Sequence, residues 1–367
     1  MEEGIVSKIL KVGIIGCGGI ANGKHLPSLK TQKDKCELVA FCDIVLERAE
    51  KAAKEYGTKD AKVYENYKEL LKDKSIDVIH VLTPNRSHSE ITIDALEAGK
   101  HVMCEKPMAK SAAEARAMLV ASQKTGKKLT IGYQSRYRED SQIAKKYIQR
   151  GDLGEIYYAK AIAIRRRAVP TWGVFLNEYE QGGGPLIDIG THALDLTLWE
   201  MDNYKPQMVV GTTFRKLADQ KDTGNAWGDW DSKEFTVEDS AFGFIKMENG
   251  ALITLESSWA LNTLETGEAI CTLCGTKGGL DFRDGLRINT IDIGRQTVIK
   301  HSLNAPGVAF YDGRAENAQE FECRQWLEAV INDTQPIVLP EQALVVSEIL
   351  EAIYTSAKTG QPVYFNK

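Results

Sequence analysis

The sequence predicts two domains of different class: a doubly wound α/β domain with a parallel sheet over residues 1–134, and an α+β domain with a large, mostly antiparallel open sheet over 135–367. Three observations predict this. Up to about Gln134, short apolar runs alternate with amphipathic segments in the rhythm of βαβ units. Beyond it, β-rich runs are separated by ENG and GTKGG, both hairpin signals. A chain of 367 residues also exceeds the ordinary size of a single core.

Taken in order, LKVGIIG, CELVAFCD, IDVIHVLTP, HVMCEKP and KLTIGYQ read as strands. The helices between them are IANGKHLPSLK, VLERAEKAAKEYG, SHSEITIDALEAG closing on Gly99, and AAEARAMLVASQKTG. Apolar strands joined by amphipathic helices imply a sheet covered on both faces with right-handed crossovers. In the second domain, YYAKAIAIRRRAV, DSAFGFIKMENGALITLESSWAL and EAICTLCGTKGGLDFRDGLRINTIDI read as strands and turns. The tail LPEQALVVSEILEAIYTSAKTG is an amphipathic helix with Pro340 near its start and Gly360 just past its end. The polar stretch LADQKDTGNAWGDWDSKEF carries Trp227 and Trp230 and reads as a lid or an oligomer contact.

Composition narrows the function. A hydrophobic fraction of 43% and a charged fraction of 26% suit a globular protein, and no apolar run reaches the roughly 18 residues of a membrane helix. The start, MEEGIVSKILKVG, is acidic before its first apolar run and carries no basic-then-apolar secretory signal, so the expected location is the cytoplasm. A net charge of -5 and a pI near 5.8 give no field for nucleic acid, and Arg165-Arg166-Arg167 is too short a run to reverse that. Seven cysteines in a chain this size read as free thiols. Cys271 and Cys274 form a lone Cys-x-x-Cys, but a strand sends i and i+3 to opposite faces, so buried small hydrophobes and no metal site are expected.

Chemistry enters at the first strand–helix junction. Gly16-Cys17-Gly18-Gly19-Ile20-Ala21 follows KVGII and opens a helix, and CELVAFC ends in Asp43, about 20 residues further on, as a dinucleotide fingerprint requires. Gly16 permits the tight turn, Gly18 and Gly19 let backbone approach a pyrophosphate, Ala21 allows close helix packing, and the helix start supplies unpaired N–H groups through Ile20 and its neighbours. Asp43 would accept the adenosine ribose hydroxyls and repel a 2′-phosphate, which favours NAD over NADP. Thr83-Pro84-Asn85 and Glu105-Lys106-Pro107 close the next two strands at their carboxyl ends, where ligands of open α/β sheets bind, and His88 follows the first of these loops.

Further on, GGGPLIDIGTHALDL places Asp188 and His192 one helical turn apart behind a glycine run. Neutral His suits the removal of a hydroxyl proton while hydride leaves a secondary alcohol, and Lys106 suits stabilisation of the developing alkoxide. RRRAVPTWGVF ends a strand in Arg165 and its neighbours, a Pro turn and Trp172, a mixture suited to a sugar ring and its hydroxyls; a solvated strand end and an interface Trp explain the same letters.

Together the fingerprint, TPNRSH, the EKP triplet and GGGPLIDIGTHALDL resemble the Gfo/Idh/MocA family of NAD(P)-dependent oxidoreductases from Val12 to about Leu198, and the tail GQPV is also similar. The resemblance implies a Rossmann domain followed by an α+β domain whose open sheet mediates homodimers or tetramers. It makes Lys106, Asp188 and His192 the catalytic residues and puts Asn85 and Glu105 at the nicotinamide half of the site. Arg136, followed by Tyr137 where the family often has an aromatic residue, is expected with Arg165 and Trp172 at the substrate. The glycoside 3-dehydrogenase branch implies oxidation of a glucopyranose C3 hydroxyl to a 3-keto sugar. An inositol 2-dehydrogenase and a non-catalytic NAD-dependent sensor remain the alternatives.

Overall fold

The computed structural model describes residues 8–301, 303 and 316–365, so the acidic start at residues 1–7 lies outside the described residues. The chain forms two compact units. One comprises the segment ending at Ala109, Ala113–Gln134 and Glu316–Leu344; the other comprises Lys110–Ala112, the span beginning at Ser135, and the segment from Val345.

The first unit is built on six parallel strands: β1 (Leu10–Ile15), β2 (Cys36–Cys42), β3 (Lys62–Tyr64), β4 (Val78–Val81), β5 (His101–Cys104) and β6 (Leu129–Ile131). Their order, β3-β2-β1-β4-β5-β6, reverses direction between β1 and β4 and so creates the crevice where nucleotides bind in this topology. Helices Leu46–Tyr56, His88–Glu97 and Ala112–Thr125 form where the sequence predicts them, each running up to a glycine. The three-residue edge strand β3 is too short to carry a periodic signal.

Residues 316–344, which the sequence reading assigns to the second domain, belong to this first unit. Helix Ala318–Ile331 places Cys323, Trp326 and Leu327 in one cluster with Leu10, Val12, Leu26 and Leu29. Burial of that apolar area, at about 25 cal/mol per Å², determines where the helix docks; its own sequence does not.

The second unit carries nine strands: β7 (Ile156–Ile164), β8 (Pro206–Phe214), β9 (Ser240–Met247), β10 (Leu252–Ser258), β11 (Gly267–Gly275), β12 (Gly279–Asp281), β13 (Arg287–Asp292), β14 (Arg295–Lys300) and β15 (Val363–Tyr364). In the order β14-β13-β12-β11-β7-β10-β9-β8-β15, all pairings are antiparallel except that of β7 with β10. The ENG turn joins β9 to β10, with Gly250 at φ 89°, and helix Pro340–Thr359 stops at Gly360, φ 69°. The almost wholly buried helix Thr191–Met201 packs on β7 and β11 and covers one face of the sheet. On the other face Val210, Phe242 and Phe244 lie side by side across β8 and β9.

Among the described residues no helix is long and apolar enough to cross a membrane, and no group of three His, Cys, Asp or Glu is placed to hold a metal ion. All seven cysteines are free.

Candidate active site

β1 delivers the chain into the glycine turn. Gly16 has φ 93°, and a Cβ there would lie 2.6 Å from the Leu82 carbonyl oxygen, so only glycine fits. A Cβ on Gly18 or Gly19 would meet nothing within 4 Å, so the backbone is open to a close-lying group such as a pyrophosphate. Helix 19–30 follows, with a π turn at Ala21–His25; Ile20 is exposed and Ala21 fully buried. Asp43, at the end of β2, locks the turn: its carboxylate accepts the Cys17 N–H at 2.8 Å and the Val45 N–H at 2.9 Å. These residues fit the adenosine half of a dinucleotide. Asp43→Ala is expected to weaken NAD about tenfold or more, the usual worth of bonds to a charged group, and to narrow the gap to NADP in calorimetric titrations. Tighter binding of NADP than of NAD by the wild type would remove this role from Asp43.

Beyond β4, Thr83 and buried Asn85 begin the turn that leads into helix His88–Glu97. His88 needs a correction. It is fully buried, and its ring nitrogens lie 2.8 Å from the carbonyl oxygens of Thr83 and Pro107, so it joins two strand-end loops and does not touch a cofactor. Burial lowers its pKa and keeps the ring neutral.

The EKP loop stands on a buried ionic cluster. One Glu105 carboxylate oxygen meets Lys24 Nζ at 2.7 Å and His25 Nε2 at 2.8 Å, while the other accepts the Lys106 N–H at 3.0 Å. Lys24 also reaches Glu322 at 2.9 Å, and His25 Nδ1 lies 3.2 Å from His80 Nδ1. Burial opposes ionisation of Glu105, but Lys24 and His25 outweigh it and hold the carboxyl well below the usual range. At Glu322 burial wins and the pKa rises. Glu105, expected at the nicotinamide, is thus 5% exposed with its carboxylate turned into the cluster, and it bears on Lys106 through the backbone of their loop.

In the second unit, Gly183 and Gly184 are glycines because their neighbours leave no room: Cβ atoms would strike the Tyr354 hydroxyl and the Glu238 carbonyl respectively. The Glu238 carboxylate accepts the N–H groups of Gly184 and Leu186 at 2.8 and 3.1 Å and the Tyr354 hydroxyl at 2.8 Å. Burial nevertheless pushes its pKa up to about 7. From this anchored loop, a π turn at Leu186–Gly190 runs into helix Thr191–Met201, so Asp188 and His192 stand about one turn apart. The Trp259 indole N–H donates to Asp188 at 3.0 Å and fixes the carboxylate; His192 is 8% exposed. The pair has the make-up of a base with an orienting acid.

Arg136 also needs a correction. It is fully buried, and its guanidinium is taken by Asp195 at 2.9 and 2.6 Å, a structural ion pair beyond the reach of a substrate. Arg165 is held by Glu268 through two bonds of 2.6 Å and lies 5.3 Å from the centre of the Trp227 ring. Trp172 is 52% exposed, whereas Trp230 is buried. Sequence reading did not find Lys24, Glu322, Glu238, Tyr354 or Trp259 as parts of the site. Each reaches its partner from far along the chain, and nothing local marks it.

Residues 10–133 match the family model described as an oxidoreductase family with NAD-binding Rossmann fold, and residues 145–365 match the model for its C-terminal alpha/beta domain. The chain belongs to the Gfo/Idh/MocA family. It is an NAD-dependent oxidoreductase of the sugar and polyol dehydrogenase type. It is 37% identical over 367 residues to a D-glucoside 3-dehydrogenase of Escherichia coli (strain K12), covering 99% of both chains. An inositol 2-dehydrogenase of Salmonella paratyphi B is 38% identical over 147 residues, 40% of this chain and 43% of that one. A crystal structure of an aldose-aldose oxidoreductase from Caulobacter crescentus, complexed with glycerol, shares the fold at TM-score 0.79 and 24% identity, covering 98% of this chain and 100% of that one.

Proposed function

We propose that the protein oxidises the C3 hydroxyl of a glucopyranose unit, free or as a glycoside, to the 3-keto sugar. The observation that carries this reading is the Asp188–His192 pair, one turn apart and pinned by Trp259, in a chain similar end to end to a D-glucoside 3-dehydrogenase. NAD, when bound, supplies the acceptor for the hydride leaving the carbon. His192 takes the hydroxyl proton, and the Lys106 ammonium stabilises the alkoxide as it forms. Asp188 orients the base or a neighbouring hydroxyl, and Glu105 holds the loop that carries Lys106. The products are the ketone, the reduced cofactor and one proton.

Incubation with NAD and, separately, glucose, a glucoside and myo-inositol, followed by product NMR, tests the assignment. The expected result is a carbonyl at C3 of the glucose ring. Oxidation of inositol alone would move the assignment to a 2-dehydrogenase, and no NADH from any of them would favour a sensor. The reading extends to a reducing, cytoplasmic setting, supported by the free cysteines. It extends also to a homo-oligomer formed through the sheet face that bears Val210, Phe242 and Phe244, which light scattering of Phe244→Glu checks.

A further inference from the structure

We propose that the exposed Trp172–Trp227 pair is a stacking platform for the aglycone of a glycoside substrate, a flat apolar group such as an aryl ring. The inference rests on the sugar-dehydrogenase reading above and names the class of substrate.

The two indoles are 52% and 43% exposed, yet they meet edge to face with ring centres 4.9 Å apart and an interplanar angle of 79°. That is an open corner. Phe175 backs Trp172 at 5.9 Å and Arg165 lies over one side of Trp227, and the exposed remainder of the two rings is aromatic surface on which a third ring can pack.

The corner is built and held. The Asn225 side chain accepts the Val169 N–H at 2.8 Å and donates to the carbonyls of Val169 and Gly228 at 3.0 and 2.8 Å. The Ala226 N–H donates to Arg167 O at 2.9 Å, and the Thr171 hydroxyl donates to Trp227 O at 2.6 Å, tying the two tryptophan loops together. Three residues on, Trp230 turns inward, donates to Ala218 O at 2.9 Å and packs on Phe235, which packs on Trp259. The loop therefore buries one tryptophan as its anchor and fixes the other outward, so most of the ordering cost of binding is met before a ligand arrives.

The platform is also continuous with the reacting end. Trp259 at the foot of this aromatic chain is the residue that fixes Asp188. On the other side, Arg165 carries the Trp227 ring, and its strand end runs beside Trp259, whose carbonyl accepts the Ala168 N–H at 2.9 Å. A glycoside whose sugar lies at Asp188 extends from it toward the tryptophans. The feature that names the occupant is the aromatic surface; the nearest guanidinium, Arg165, is already engaged by Glu268.

The test compares glucose with the methyl and phenyl glucosides of one anomer in the wild type, Trp172→Ala and Trp227→Ala. The wild type should favour phenyl over methyl glucoside by about tenfold in kcat/KM, mostly through KM, as expected for one aromatic contact. Either variant should abolish that preference, and Trp227→Ala should leave kcat on methyl glucoside unchanged. Quenching of tryptophan fluorescence by phenyl glucoside should weaken to the same extent. Equal kcat/KM for the two glucosides in the wild type overturns the proposal. So does a uniform loss on all three substrates, a preference for glucose 6-phosphate, or a change of mass in light scattering that marks the pair as a contact between copies. If no glucoside is oxidised, the proposed reaction fails, and the fluorescence titration then decides the platform alone: tryptophan-dependent binding of phenyl glucoside supports it, and none overturns it.

Discussion

His192→Ala should lower turnover of the preferred sugar by about 10²- to 10⁴-fold, the range for loss of a positioned general base. The imidazole sits in the first turn of helix Thr191–Met201, beside the Asp188 turn that Trp259 immobilises. Removing it deletes the proton acceptor and leaves the anchored glycine loop and the Glu238 bonds beneath it in place. Because the glycine turn and Asp43 belong to the other unit, the NAD dissociation constant should stay near that of the wild type. The pH profile is the second readout. The wild-type rate should fall on the acid side as the base protonates, and the residual rate of the variant should lack that limb. A variant within tenfold of wild type on an NMR-verified substrate would take the base role from His192.

Lys24→Met should destabilise the protein by about 3–5 kcal/mol, the cost of leaving one member of a buried ion pair uncompensated. Lys24 and Glu105 are about 5% exposed as side chains, so water screens neither. Without the ammonium, Glu105 must either stay charged in a dry site or take up a proton and give up its charge-assisted bonds. The sign of the pH dependence follows from the depressed pKa of Glu105. Its contribution is fully present above its ordinary value of 4.5 and is lost as pH falls, so wild type should lose more stability on acidification than Lys24→Met does. Urea denaturation at pH 7 and at pH 4 measures both effects. The double variant Lys24→Met/Glu105→Gln should lie well above the sum of the singles, because it removes both charges together. A single variant within 1 kcal/mol of wild type would show that the cluster does not hold the EKP loop.

These two predictions differ in how much of their basis was legible in the sequence. Lys106, Asp188 and His192 stand in short motifs, and the fingerprint keeps its order along the chain: strand, glycine turn, helix, second strand, Asp43. The fingerprint depends on near neighbours in sequence and is found from spacing, whereas the roles of Lys106, Asp188 and His192 are what the resemblance of their motifs to the family implies. Lys24 lies in the same helix, but its partners are 81 residues away at Glu105 and on a helix near the other end of the chain at Glu322. Arg136 shows the converse failure. Its position beside an expected site suggested a substrate contact, whereas burial and Asp195 make it structural.

By itself the sequence determined the class of each domain and the NAD-binding turn, and it named the side chains proposed to react, because periodicity, glycine placement and motif order act over a few residues at a time. The tertiary structure alone decided that residues 316–344 complete the first core, that Glu105 faces a buried lysine, that Glu238 and Trp259 set the Asp188 turn, and that Trp227 is held outward while Trp230 is buried. Those outcomes follow from apolar burial and the pairing of buried polar groups between distant segments, and they exist only once the chain has closed on itself.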